Sequence, residues 1–318
     1  MSSPSQVGRS IPPLEVYSDR AFRALTAVLA WSVVLLILWV VVRIGQTSWP
    51  AVQKYGLGFL ARTDWDPGRQ NFGIWPQIAG TLYSSTLGLV IGTLFGLAVA
   101  IVLSQDFLPP RWEWVLTNVV QLLAAIPSVV YGLWGLFVVV PLMRPPANAI
   151  HAALGWIPIF GTRLSGPGML PTAVVLAIMI LPTISAVARD AIAAVPRKMT
   201  EAAYGMGATR WETILHVVLP TAAPGIFGAI ILGFGRAVGE TMAVAMLIGN
   251  SEVFTWSLFS PGTTLAALLA NHFAEANQVE IGALMYAALV LLAITLLINI
   301  AGEFVLNRAT AALEGINK

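Results

Sequence analysis

Six stretches of this chain are apolar for long enough to cross a lipid bilayer, and nothing else in the sequence restricts its fold as tightly. They are residues 24–42, 79–103, 114–142, 170–188, 221–249 and 281–305. A hydrocarbon core of ~30 Å takes ~20 apolar residues per helix, and within it every backbone amide must be satisfied inside a helix or a closed barrel. The expectation is an all-α, polytopic membrane protein with six transmembrane helices. With 57% of its 318 residues hydrophobic and only 10% charged, the chain has little material for a soluble domain. The first run resembles a signal peptide, but its uncharged core is too long and no small-residue cleavage site follows, so it reads as a retained anchor.

Six spans put both termini on one side of the membrane, and the basic residues choose the side. Ten, among them Arg111, Arg189, Arg197, Lys198 and Arg210, fall with the termini, against six on the opposite side, among them Arg62, Arg69 and Arg144. The excess places both termini in the cytoplasm. The net charge of +2 thus bears on topology and gives no sign of a nucleic-acid partner. The chain has no cysteine, which excludes disulfides, thiolate metal sites and cysteine nucleophiles. The organisation that follows is a cytoplasmic segment 1–23 holding a short interfacial helix, a first helix 24–45, an external segment 46–78, a core of five helices 79–306 and a tail 307–318. Trp49, Trp65 and Trp75 in the external segment suit the headgroup zone.

Between the fourth and fifth spans lies a polar loop, 189–220. Met199, Ala202, Ala203 and Met206 recur at helical spacing. Gly207 can adopt the left-handed conformation that stops a helix, Thr209 and Glu212 form a capping box that starts the next, and Pro220 is expected to end it. A helix–Gly–helix with an adaptable Met/Ala face outside the bilayer is suited to docking in a groove of another protein.

Inside the membrane, Gly88, Gly92 and Gly96 form a strip that lets another helix approach closely, in this chain or in a second subunit. Pro127, in Ala125-Ile-Pro-Ser-Val-Val-Tyr-Gly132, is expected to kink the third span, with Ser128 satisfying a freed backbone group, and Pro182 to bend the fourth. In the fifth span, Arg236 and Glu240 are expected one turn apart on one helix face, with Gly235 and Gly239 alongside. Burying either charge alone costs ~2.5–3.5 kcal/mol, so the pair needs a reason. A guanidinium fork matches phosphate oxygens, and Glu240 could hold Arg236 or accept the proton that phosphate retains. The other reading is a pair that tethers helices and never meets substrate. The loops 143–169 and 250–280 are expected to carry short surface helices, and His151 and His272 within them to be plain surface groups. No Walker A, nucleophile elbow or paired-carboxylate site is present.

These motifs carry a family resemblance. Glu201-Ala202-Ala203, Gly207 and Val217-x-Leu219-Pro220 resemble the EAA loop of ABC importer permeases, which usually have Ile at the position of Val217. The run Phe72–Thr81, the octapeptide around Pro127 and Gly235-Arg-Ala-Val-Gly-Glu-Thr241 resemble the phosphate-importer permeases of the PstC and PstA kind. The resemblance implies the type I ABC importer permease fold in a bacterial cell membrane, with residues 189–220 as the coupling loop. It implies that Arg236 and Glu240 lie on the path of inorganic phosphate. It further implies a PstA-like second permease, a PstB-like ATPase homodimer that alone holds ATP and magnesium, and a PstS-like external phosphate-binding protein. Competing expectations are a molybdate or sulfate importer, an ion-coupled carrier or channel, and, less favoured, a membrane enzyme acting on lipid phosphates.

Overall fold

The computed structural model describes residues 13–316. Helix α1 (Pro13–Tyr55) leads through the short α2 (Gly58–Ala61) and a hairpin of β1 (Trp65–Asp66) and β2 (Asn71–Phe72) into α3 (Trp75–Ser104). Then follow α4 (Pro110–Ala125), α5 (Ser128–Trp134), α6 (Val140–Leu154), α7 (Met169–Ala193), α8 (Arg197–Gly205), α9 (Arg210–Thr213), α10 (Leu219–Gly239), α11 (Met242–Leu247), α12 (Leu265–His272) and α13 (Gln278–Ile316). Among the described residues six helical segments are long and apolar enough to cross a membrane; the third is Ser128–Leu154, so α4 lies outside it and the expected span 114–142 shifts toward the C-terminus.

The core is built on α3 against α7. Gly88, Gly92 and Gly96 all face α7: a Cβ on them would come within 2.9 Å of Leu176, 2.7 Å of Ile180 and 3.0 Å of Ile184. The glycine strip is therefore used within this chain, and it brings two backbones together where dispersion and packing, rather than water exclusion, hold membrane helices. Helix α10 packs on the same region, so that Ile180, Ile184, Ala188, Val218, Ala222 and Ala229 share one buried cluster.

Several expected boundaries move, each for a local reason. The residues just before the first span (Pro13 onward) join α1 instead of forming a separate interfacial helix, and residues 1–12 of that segment lie outside the described residues. Helix α1 also runs ten residues further into the expected external segment, because its last turns have somewhere to pack: Ala51 and Tyr55 are buried against Phe59, Phe72, Ala283 and Leu284. Trp65 joins that cluster, 5% exposed, in place of a headgroup position. The expected tail 307–318 continues α13 to Ile316.

The expected third span is interrupted, not kinked. Ile126 and Pro127 are extended (ψ 128° and 142°), so α4 and α5 are separate helices. The residue before a proline is pushed out of the helical region, and here nothing opposes it. Ser128 makes no hydrogen bond across the gap; the hydroxyl of Tyr131 does, donating to the Leu123 carbonyl at 2.8 Å. Pro182, by contrast, is absorbed within a continuous α7.

Pro220 does not end a helix either. Residues Ile214–Val218 form a π turn, in which the amide of Leu219 bonds the carbonyl of Ile214, five residues back, and α9 runs through it into α10. A second π turn, Gly135–Val139, joins α5 to α6 in the same way, with Val140 bonding Gly135. Each is followed at the same spacing by a proline, Pro141 and Pro220. The wider ladder accommodates a residue that has no amide to offer, which is how both helices survive a proline at that point.

The two ends of the bundle differ. At one end lie the hairpin, the end of α1, the start of α13 and α12. Leu265, Ala266, Ala267 and Leu268 of α12 are all at most 3% exposed, so the first half of this helix is buried, while Ala270 and Asn271 in its second half are exposed. At the other end α8 and α9 stand clear of the spans, on the side to which the start of α1 and the end of α13 also run.

Candidate functional site

Two places in this framework carry chemistry: a charged interruption in the fifth span and the exposed loop at its base. Helix α10 is rich in glycine toward its end, and it stops at Gly239; Glu240 is extended (ψ 124°). The backbone groups freed by the stop are met by local side chains. The Thr241 hydroxyl donates to the Gly239 carbonyl at 3.2 Å, and Glu240 Oε1 accepts from the amide of Ala243 at 3.4 Å, at the start of α11. At membrane depth such groups would otherwise have no partner.

This corrects the expected pairing. Arg236 sits in the last turn of α10 and Glu240 beyond its end, so the two no longer share a helix face, and no ion pair forms between them. Arg236 instead donates from Nη1 to Thr183 Oγ1 on α7 at 3.4 Å and is otherwise exposed. Tyr131 on α5 shares a buried cluster with Met179 of α7, one turn before Thr183, and Ala243 of α11. The interruptions at Pro127 and Gly239 and the proline-containing turn of α7 thus converge: each delivers one polar side chain to the same place. Sequence pattern had indicated Arg236 and Glu240; Thr183 and Tyr131 emerge only from packing, although both follow closely on the prolines that mark the sites. Gly235 meets Asn299 of α13 at 3.4 Å from a would-be Cβ, whereas Gly239 faces open space.

An exposed guanidinium with one of its donors engaged is costly against lipid, by ~2.5–3.5 kcal/mol on insertion scales. The arrangement suits a water-filled or subunit-lined path, and the free donors of the fork can accept an oxyanion.

The loop is built as its residues dictate. Helix α8 closes in a Schellman motif: Gly207 has φ +87°, its amide bonds the Tyr204 carbonyl at 2.9 Å, and that of Ala208 bonds Ala203 at 3.1 Å. The capping box then starts α9, with Thr209 and Glu212 each bonding the other's backbone amide. Of the residues in the motif, Ala203 is buried at 3%, while Glu201, Ala202 and Gly207 are exposed, Leu219 is half-buried and Pro220 exposed. Met199 and Met206 are 42% and 85% exposed, so the adaptable face expected for docking is bare. A cleft of about 460 Å³ opens beside it, lined by Ser104, Asp106, Arg197, Glu201, Tyr204 and Arg210 among others.

The histidines are not plain surface groups. His151 Nδ1 lies 2.7 Å from the Phe160 carbonyl. His272 Nδ1 lies 3.3 Å from Glu280 Oε1, which also accepts from the Trp65 indole at 3.2 Å. Glu280 is 5% exposed, and the sequence, which shows it as one more polar residue before the last span, had not singled it out. Among the described residues no group of three or more His, Asp or Glu is placed to hold a metal.

Comparison with known proteins agrees with this architecture. Residues 92–310 match the model of the family described as binding-protein-dependent transport system inner membrane component. The chain is 41% identical over 280 residues to the phosphate transport system permease protein PstC of Pasteurella multocida, covering 86% of this chain and 87% of the relative. It is 35% identical to the probable phosphate transport system permease protein PstC of Methanocaldococcus jannaschii, over 81% of this chain and 84% of the relative. Among solved structures, a bacterial alginate ABC transporter in complex with its pentasaccharide-bound periplasmic protein has a chain that superposes with a TM-score of 0.63 at 16% identity, covering 92% of this chain and 98% of that one. The MetNI methionine ABC transporter, in inward-facing conformations, gives 0.53 at 20% identity over 74% of this chain and 94% of its own. This chain, six-spanning and with its bare loop below the fifth helix, belongs to the family of binding-protein-dependent transport system inner membrane components and has the type I ABC importer permease fold.

Proposed function

We propose that this protein is the membrane-spanning permease subunit of an ATP-driven importer of inorganic phosphate, forming half of the pore. The observation that carries the reading is Arg236, exposed at membrane depth on three converging helices, with Thr183 as its hydrogen-bond partner. The names of the relatives support phosphate as the anion. Phosphate at neutral pH keeps a proton, and Glu240, whose Oε2 has no hydrogen bond among the described residues, can accept from it; sulfate offers no such donor.

The exposed α8–α9 loop supports a docking role: a PstB-like ATPase homodimer grips it from the cytoplasm and alone binds ATP and magnesium. A PstA-like permease covers the open side of the Arg236 site, and a PstS-like binding protein delivers phosphate at the opposite, α12 end. Both termini are then cytoplasmic, in the membrane of a bacterial cell. Binding free energy from ATP shifts the complex between access states, and the interruptions at Pro127 and Gly239 supply discrete joints for that change.

The test is co-purification of partners followed by phosphate-dependent ATP hydrolysis and uptake in liposomes. Phosphate is expected to stimulate both, and Arg236→Lys to lower uptake by about tenfold or more, since an ammonium cannot form the two-pronged contact. Glu240→Gln should reduce transport with the ATPase still bound. Equal stimulation by sulfate or molybdate would assign a different anion, and uptake without any ATPase would overturn the reading.

A further inference from the structure

The turn between α3 and α4, whose Asp106 lines the cleft beside the docking loop, is also fastened to that loop. Phe107 in that turn is half-buried. The guanidinium carbon of Arg210 lies 3.9 Å from its ring centroid, and the Trp211 ring stands 5.3 Å away at an interplanar angle of 33°. Arg210 and Trp211 are the first two residues of α9, between the two members of the capping box, Thr209 and Glu212. The turn itself is stiff: Asp106 has φ +50°, and Pro109 and Pro110 lead directly into α4. The cleft of about 460 Å³ lies between the start of this turn and α8, and Phe107 joins the turn to α9 beside it.

From Phe107 the connection continues without interruption to the charged site. Helix α4 is braced on α7 by Glu113 and Arg189, 3.4 Å apart, and its last turn offers the Leu123 carbonyl to the Tyr131 hydroxyl at 2.8 Å. That bond spans the Pro127 interruption, the one place where α4 can turn relative to α5. Tyr131 in turn packs in a buried cluster with Met179, one turn before Thr183 on α7, and with Ala243 of α11, just beyond Glu240. A push on α9 can therefore reach Arg236 along α10, or from the opposite side through Phe107, α4 and Tyr131.

We infer that Phe107 is a positioning residue that ties the docking loop to α4, so that displacement of the loop is delivered through α4 and Tyr131 to the Arg236 site. The inference rests on the reading of α8 and α9 as the ATPase-docking loop. An Arg and a Trp clasping one ring form a contact that holds in tension as well as compression, because stacking and cation–π attraction both resist separation.

The experiment uses the complete complex. The absence of cysteine allows spin labels at Leu122→Cys near the end of α4 and Ile300→Cys on α13, both exposed. In the parent the inter-label distance should change when ATP is bound, and in Phe107→Ala that change should vanish, while ATPase association and hydrolysis persist. Phe107→Tyr should restore it. The anion carried does not enter this readout, so it stands apart from the test of phosphate transport. Where transport is measured, anion moved per ATP should fall roughly fivefold in Phe107→Ala and recover in Phe107→Tyr. A distance change that persists in Phe107→Ala overturns the inference. So does its absence in the parent, failure of Phe107→Tyr to restore it, or loss of ATPase association in Phe107→Ala.

Discussion

The two ends of this bundle solve opposite problems. The α12 end is closed over a core of its own, although a cleft of about 660 Å³ opens beside the hairpin: Phe59 stacks on Tyr286 at 4.5 Å, Tyr55 donates to the Gln70 carbonyl at 2.7 Å, and a buried carboxylate, Glu280, is satisfied by an indole and an imidazole. The α8 end leaves its apolar residues bare and its cleft open, though its backbone is fixed as firmly by the Schellman motif and capping box. A surface whose main chain is rigid and whose side chains are unfilled is one prepared for a partner, since little ordering remains to be done on binding. The closed end is held by its own interior.

The largest expected effect is at the closed end. A Cβ at Gly80 would run into the Thr263 carbonyl oxygen in the approach to α12, so Gly80→Val should cost about 3 kcal/mol or more and lower the thermal unfolding temperature of the purified protein sharply. Next, Glu280→Ala leaves the buried Trp65 indole without an acceptor, for a loss of about 2 kcal/mol, while Glu280→Gln, which keeps one, loses about half as much. Equal losses would mean that charge, not the hydrogen bond, is what counts there.

At the open end the expected costs are smaller and local. Gly207→Val forces a β-branched residue to φ +87°, on the order of 1–2 kcal/mol within the loop. The unfolding temperature of the spans should stay put while ATPase co-purification is lost. Should the spans melt earlier as well, the division between the ends would fail. Thr209→Ala removes half of the capping box, about 1 kcal/mol, and should appear as faster hydrogen exchange at the amide of Glu212 with stability otherwise unchanged.

Where local chemistry decides, the sequence was legible. Six apolar runs specify six membrane-length segments, although the third is Ser128–Leu154 where 114–142 was expected; Gly207 needs its positive φ, and Thr209 with Glu212 can do little but cap. The prolines were harder, because the effect of a proline depends on the carbonyl ladder behind it. Pro127 broke its helix, Pro182 was absorbed, and Pro220 followed a π turn that no window of composition reveals. The Arg236–Glu240 spacing marked a charged stretch of the fifth span, but pairing them assumed an unbroken helix, and the interruption at Gly239 gave each a different hydrogen-bond partner. Burial of α12, Trp65 and Glu280 came from contacts across more than 180 residues of sequence, such as Thr81 Oγ1 accepting from the Leu265 amide and Trp65 donating to Glu280, which no local pattern encodes.

The two π turns, each two residues ahead of a proline, leave their helices with one peptide more than the ladder needs. Such a surplus resembles a ruck in a carpet: it can be handed along by re-pairing one amide at a time, and each hand-over swivels the rod beyond it by about 100°. The proline pins the ruck on one side, since it has no amide to re-pair, and so the slack in Ile214–Val218 can travel only back toward α9. Twist imposed at the foot of that helix is thereby taken up before it reaches the membrane, or passed on whole once the slack is used up.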